Sequence, residues 1–250
     1  MVVTPGRATW RRVRQRARTT TAVELTRRGG CLVLAPHPDD ETLGAGGLIA
    51  ALASAGREPA VAFLTDGSGS HVGAPGWSPG RVASVRASEA RAALRSLGCR
   101  DEPIMLGWRD AAPHAADTPG FSRTVRQLTT LCRRRGFRTV VASWNGDPHC
   151  DHEAAAAVAR TVARRLGTRP LFYCVWGWTV PDLDRRLRPM RAISIPITRW
   201  RGRQRRALAQ HRTQLGGRIA GARDRFVLPR AMRRLVDASH LILLEQARAT

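Results

Sequence analysis

The sequence predicts an α/β fold with a mostly parallel central sheet and helices on both faces. Three observations carry the prediction. Strand-length apolar runs alternate with helix-length runs, the pattern of βαβ units. Gly56, Gly98, Gly136 and Gly167 each stand just past a helical run, where a chain end needs a left-handed residue. Polar residues collect just after the strand-like runs, where ligands bind in such folds.

Taken in order, strands are expected at Cys31–Ala35, Ala60–Thr65, Pro103–Leu106, Thr139–Ser143, Leu171–Trp176 and Ala192–Pro196. These runs are rich in Val, Ile, Leu and Phe with little polar alternation, as strands buried on both faces require. Helices are expected at Thr42–Ala55, Arg81–Leu97, Phe121–Arg135, His152–Leu166 and Arg199–Leu215. Residues 1–28 are rich in Arg and Thr and read as a basic, solvated, partly mobile N-terminal extension. Residues 29–250 read as a single domain, and 250 residues with 43% hydrophobic content suffice for a sizeable core.

The formal net charge of +23 raises nucleic acid as a partner. The basic residues are all arginine, with no lysine, and they are spread along the chain, as GC-rich coding bias produces. No nucleic-acid motif stands out, so no specific nucleic-acid partner is expected. The densest stretch, Arg199–Arg212, is most simply the solvated face of a helix. The five cysteines, at 31, 99, 132, 150 and 174, are widely spaced with no C-x-x-C pair. That is the pattern of reduced, mostly buried thiols, and with no signal peptide and no membrane-length apolar run the expectation is a cytoplasmic protein.

The chemistry sits in two strand-to-helix loops, His37-Pro38-Asp39-Asp40-Glu41 and His149-Cys150-Asp151-His152. A single Asp or His in a loop is usually a turn former. Several carboxylates packed beside histidines are costly unless something positive holds them, and a divalent metal is the usual answer. Two histidines and one carboxylate make a catalytic Zn²⁺ site with an open position, assigned to His37, Asp40 and His152. Asp39 is a candidate general base, and His149 a candidate stabiliser of the developing oxyanion. Asp151 is placed to orient His149. Glu41 reads as a helix-start or supporting acid. Gly44-Ala45-Gly46-Gly47 reads as close helix–strand packing rather than a phosphate turn, because carboxylates fill the loop before it. Trp77, Trp108, Trp144, Trp176 and Trp178 stand near strand ends or in loops, where they can stack on a ligand or pack in the core.

With both segments in view, the chain resembles the PIG-L/LmbE-like family of metal-dependent de-N-acetylases. The hallmark A-H-P-D-D-E appears here as Pro36 to Glu41, and the later H-x-D-H as His149 to His152. Thr65-Asp66-Gly67, the Arg86-to-Gly98 helix, Leu106 to Asp110, and Arg206, Ala207, His211 and Gln214 fall in the family's order. The resemblance implies a Rossmann-like three-layer α/β sandwich, a zinc ion, and removal of an N-acetyl group from an amino sugar, often a GlcNAc conjugate. It places the ligands, base and electrostatic catalyst on the residues named above, and adds Arg86 and Asp110 as contacts to sugar hydroxyls.

Three rivals stand beside this reading. A non-haem Fe(II) oxygenase uses the same donors, normally on a β-rich scaffold. A basic nucleic-acid-binding protein predicts a continuous Arg face and steep salt dependence. Within the enzyme class, the alternative is an amidase removing a larger acyl group from an antibiotic or lipoglycopeptide intermediate or a thiol conjugate; residues 67–80, long and glycine-rich, would shape its acceptor pocket.

Overall fold

The structure is a computed structural model that describes residues 6–177, 180 and 182–247. In chain order the elements are α1 (Gly6–Arg16), β1 (Arg18–Thr19), α2 (Ala22–Leu25), β2 (Gly30–Ala35), α3 (Gly46–Ser54), β3 (Ala60–Thr65) and β4 (His71–Val72). They continue with α4 (Pro79–Leu97), β5 (Ile104–Trp108), α5 (Pro119–Arg135), β6 (Phe137–Ser143), α6 (Cys150–Arg165) and β7 (Pro170–Tyr173). The chain closes with α7 (Leu183–Leu187), β8 (Met190–Pro196), α8 (Arg201–Leu208), β9 (Asp224–Arg225), α9 (Arg230–Arg233) and β10 (His240–Gln246).

Among the described residues eight strands form the central sheet, in the order β1-β8-β10-β7-β6-β2-β3-β5. Every neighbouring pair is parallel except those made by β10, which runs antiparallel to both β7 and β8. This is the expected α/β sandwich. In β2 alternate side chains serve the two layers: Cys31, Val33 and Ala35 join the core under α3 and α4, while Leu32 and Leu34 join the core under α5 and α6. Burying each of these leucines contributes about 1.5–3 kcal/mol. The long helices start and stop as their sequences ask. Ser78 and Thr118 cap α4 and α5 by accepting N–H bonds from Arg81 and Phe121, with Pro79 and Pro119 next in each chain, and Gly98 ends α4 at φ 102°.

Four differences from the sequence expectation have physical causes. Residues 6–28 are not a solvated extension. β1 pairs with β8 through Arg18↔Ile193 and Thr19↔Ser194, and Trp10, Val13 and Ala17 pack on the core. That i, i+3, i+7 stripe is hidden in the sequence by the arginines between. β10 was not expected; its run Leu241–Leu244 is fully apolar and buried, and such a short run carries no strand period. The expected helix at 199–215 stops at Leu208, because His211, Thr213 and Gln214 turn inward to buried polar partners. Cys150 is exposed, whereas the other four cysteines are buried as expected.

Trp108 and Trp144 are core residues, and the indole N–H of Trp108 donates to Thr124 Oγ1 at 2.9 Å. Trp77 lies under the Arg81 guanidinium, and Trp178 lies outside the described residues. Among the described residues no helix is long and apolar enough to cross a membrane.

The glycines after the His37–Glu41 loop are there for space. A Cβ on Gly44 would lie 2.0 Å from Cδ2 of Tyr173, and one on Gly47 would lie 2.7 Å from three Ile197 carbons. Gly44→Ala is expected to lose about 1–3 kcal/mol of stability by overpacking. Gly80→Ala, whose new methyl meets nothing within 4 Å, is the control and, lying in the first turn of α4, should hold or raise the urea midpoint.

Candidate metal and catalytic site

The site lies at the carboxyl ends of β2 and β6, where the parallel strands deliver their loops. After β2 the chain turns through His37–Asp40 into a single π-helical turn, Glu41–Ala45, and then α3. Asp39 has φ 136°, a conformation costly for a side chain with a Cβ. It is held in place from several sides. Its N–H donates to Glu41 Oε2 at 2.9 Å, its carbonyl accepts from the N–H groups of Thr42 and Leu43, and its carboxylate lies 3.4 Å from Arg86 Nη2. After β6, His149 caps α6: its Nδ1 accepts the Asp151 N–H at 3.2 Å. Asp151 and His152 follow in the first turn and are buried.

Asp40 Oδ2 is the meeting point. It lies 3.1 Å from His37 Nδ1 and 3.3 Å from His152 Nε2. The donor atoms of His37, Asp40 and His152 all fall within 4.8 Å of one another, and all three residues are strongly enclosed. The far nitrogen of each histidine is tied to another carboxylate. His37 Nε2 sits 3.0 Å from Asp151 Oδ2 and 3.3 Å from Asp110 Oδ1; His152 Nδ1 sits 2.9 Å from Asp147 Oδ2. Such partners fix the tautomer and leave the other nitrogen free to bind a metal.

The electrostatics point the same way. Burial opposes charge on His37, yet Asp110, Asp151 and Asp40 outweigh it and hold the imidazole well above its ordinary value. His152 is pushed up to about 9: burial opposes this, but Asp40 and Asp147 prevail. Asp40 is held far below the usual carboxylate range, with burial overcome by His152 and His37. The cluster has more carboxylate than fixed cation, and the imidazoles take up protons to balance it. Two imidazole nitrogens and a carboxylate oxygen facing one another fit a divalent transition metal, which would supply that balance instead.

Asp39 is pushed up to about 7, mainly by burial and further by Asp40, with Arg86 pulling the other way. His149 is lowered by burial and by the neighbouring His37 and His152, which keeps it neutral. Because its Nδ1 accepts a hydrogen bond, its proton resides on Nε2, and it presents a donor.

The structure brings all eight sequence-predicted residues together, with three shifts of emphasis. Asp151 lies closer to His37 Nε2 (3.0 Å) than to His149 Nδ1 (3.8 Å). Arg86, expected at the sugar, is largely committed to scaffolding: it donates to the carbonyls of Gly67 and Pro38 at 2.8 and 2.6 Å. Asp110 accepts from the Gly69 N–H at 3.0 Å as well as facing His37. Both still line the site's pocket of about 210 Å³, with Ser70, Trp176 and Met232.

Sequence reasoning missed Asp147 and under-read Glu41. Asp147 is 1% exposed, and it accepts from the N–H groups of Val175 and Gly177 at 3.0 and 2.6 Å while holding His152. Glu41 is fully buried and faces His211 Nε2 at 3.1 Å. Only the order of residues along the strand-end loop hinted at the first; nothing local signals the second.

The chain is similar to several known proteins. Residues 32–163 match the family model for PIG-L, GlcNAc-PI de-N-acetylase. A 1D-myo-inositol 2-acetamido-2-deoxy-alpha-D-glucopyranoside deacetylase of Rhodococcus erythropolis is 31% identical over 202 residues, covering 68% of this chain and 67% of that protein. The enzyme of the same name from Corynebacterium diphtheriae is 28% identical, covering 66% of this chain and 61% of its own length. The chain thus spans about two thirds of the curated relatives it matches. The structure of N,N'-diacetylchitobiose deacetylase from Pyrococcus horikoshii shares the fold, with a TM-score of 0.58 at 20% identity over 85% of this chain and 80% of that one. The chain belongs to the PIG-L family and is, with it, an amide-hydrolysing deacetylase.

Proposed function

We propose that the protein is a zinc-dependent N-deacetylase that removes the acetyl group from an amino-sugar-containing small molecule of the GlcNAc type. The observation that carries this reading is the convergence of His37 Nδ1, Asp40 Oδ2 and His152 Nε2, each histidine tied at its other nitrogen by a carboxylate. These three residues would hold the metal. Two imidazoles and one carboxylate on an α/β scaffold favour Zn²⁺ over the iron of a β-rich oxygenase. When bound, such an ion supplies Lewis acidity, polarising the amide carbonyl and acidifying water.

The remaining steps fall to the chain's own groups. Asp39, raised toward neutrality by burial, takes the proton of the attacking water as the oxygen adds to the acetyl carbon. It then returns that proton to the sugar nitrogen as the C–N bond breaks, releasing acetate and a free amine. His149 donates from Nε2 to the oxyanion that forms on the former carbonyl oxygen. Asp151 and Asp147 position His37 and His152, and Arg86 fixes the Asp39 loop against Gly67. Ser70, Trp176 and Asp110 line the place where the sugar ring enters.

An amine-release assay over N-acetylated sugar conjugates, with and without chelator, tests the function. Turnover should be lost on chelation and restored by Zn²⁺; turnover indifferent to chelator refutes the reading. Asp39→Asn should retain metal by elemental analysis while kcat falls by about 10²–10⁴-fold. His152→Ala should purify without metal. Asp147→Asn should weaken metal affinity by about 10–100-fold in a competitive chelator titration, with the fold intact by circular dichroism.

A further inference from the structure

Two buried side chains, His71 and Gln214, meet at a wall of the catalytic pocket without touching a candidate metal ligand. Each keeps one polar atom unmatched. Among the described residues, His71 Nε2 and Gln214 Oε1 are buried and make no hydrogen bond. Their other polar atoms reach the same group. His71 Nδ1 lies 3.0 Å from Ser70 Oγ, and Gln214 Nε2 lies 3.4 Å from it. Ser70 is itself buried and lines the pocket. Its backbone is pinned on both sides. The Ser70 carbonyl accepts from the Phe226 N–H at 2.8 Å, and the Gly69 N–H donates to Asp110 Oδ2 at 3.0 Å.

The direction of each bond follows from counting protons. The Thr213 hydroxyl gives its proton to Glu89 Oε2 at 2.6 Å. Its oxygen can then only accept, so the Gln214 group at 3.1 Å from it must be the amide N–H₂. The second proton of that nitrogen goes to Ser70 Oγ. His71 is neutral: burial lowers its imidazole, helped by Arg86 and Arg225. One ring nitrogen therefore carries a proton. On Nε2 it would be a buried N–H with no acceptor, the rarer and costlier kind of orphan. On Nδ1 it is donated to Ser70 Oγ, and both unmatched atoms of the cluster become acceptors. Ser70 then accepts twice, and its own O–H proton is left for the pocket.

We infer that Ser70 is a specificity-determining residue: a fixed donor that reads one ring hydroxyl of the amino sugar, while the neighbouring Asp110 carboxylate takes that hydroxyl's proton. A hydroxyl meets both groups because one oxygen accepts and donates. An ether oxygen or a deoxy carbon leaves at least one of them unmet. His71 and Gln214 are positioning residues that set the direction of the Ser70 proton. The inference rests on the deacetylase reading for the sugar, but on the bond directions alone for the donor.

Methyl N-acetylglucosaminide and its 3-deoxy, 4-deoxy and 6-deoxy analogues test it. Wild type should lose at least about 10-fold in kcat/KM on one of the analogues. Ser70→Ala should lose about 10-fold on every compound except that one, where it should cost nothing further. His71→Phe and Gln214→Leu should each reduce the discrimination by about 3-fold. His71→Asn, whose amide can stand in for the Nδ1–H, should restore it. Equal losses by Ser70→Ala on all the compounds would mean a structural role and overturn the assignment. So would ring-nitrogen NMR of isotope-labelled protein that places the His71 proton on Nε2, because Ser70 would then donate to the imidazole. If wild type releases amine from none of the glycosides, the proposed function fails by itself. Calorimetric binding of the same glycosides to the zinc-loaded protein then makes the same comparison, and the absence of a Ser70-dependent hydroxyl there overturns the inference too.

Discussion

The buried carboxylate of Glu41 is the interaction on which the site depends. It has no exposure to water, so its charge must be met inside the protein. It is met by the Asp39 N–H, the Thr42 hydroxyl and His211. Burial opposes charge on His211, but Glu41 outweighs it and raises the imidazole above its ordinary value. The same carboxylate thus holds the strained backbone at Asp39 and recruits a residue 170 positions away in sequence. Gln204, donating to the Thr42 carbonyl, and Thr213, bonded to Glu89, fasten the rest of that late segment to the π-helical turn and α4. His37 and Asp40, the candidate ligands on either side of Asp39, inherit their positions from this anchor.

Charge is distributed with a purpose across the molecule. The chain has 42 basic residues against 19 acidic ones. Yet Asp39, Asp40, Glu41, Asp110, Asp147 and Asp151 are gathered at one end of the sheet, within reach of four histidines, His37, His149, His152 and His211. The result is a negative focus in a positive body. The focus suits a cation. The surrounding field favours approach of anionic conjugates and falls off with salt.

Much of this was legible in the sequence because it depends on local order. Parallel strands buried on both faces read as plain apolar runs, and strand-end loops carry the polar residues, so the grouping of His37, Asp40 and His152 that the structure shows could be read from spacing and residue type. What could not be read depends on distant partners. Asp147 looks like a turn former until the chain after β7 is seen to bend onto it. Glu41 looks like a first-turn helix acid until His211 arrives. Trp10, Val13 and Ala17 form an apolar stripe, but arginine dominates the segment's composition and conceals it. β10 is short and uniformly apolar, and its identity as a strand is settled only by β8 beside it.

The placement of β10 also governs how the protein can be made. Among the described residues of the sheet, β1 is joined to β8 alone, and β8 to the remaining strands through β10 alone. A nascent chain can assemble β2, β3, β5, β6 and β7 as each emerges from the ribosome. Among the described strands β1 has no partner until β8 appears, and that strand pair has no edge to dock on until residues 240–246 have been synthesised. Closure of the sheet is therefore a late event of high contact order, and until it occurs the edge of β7 is open to illegitimate pairing.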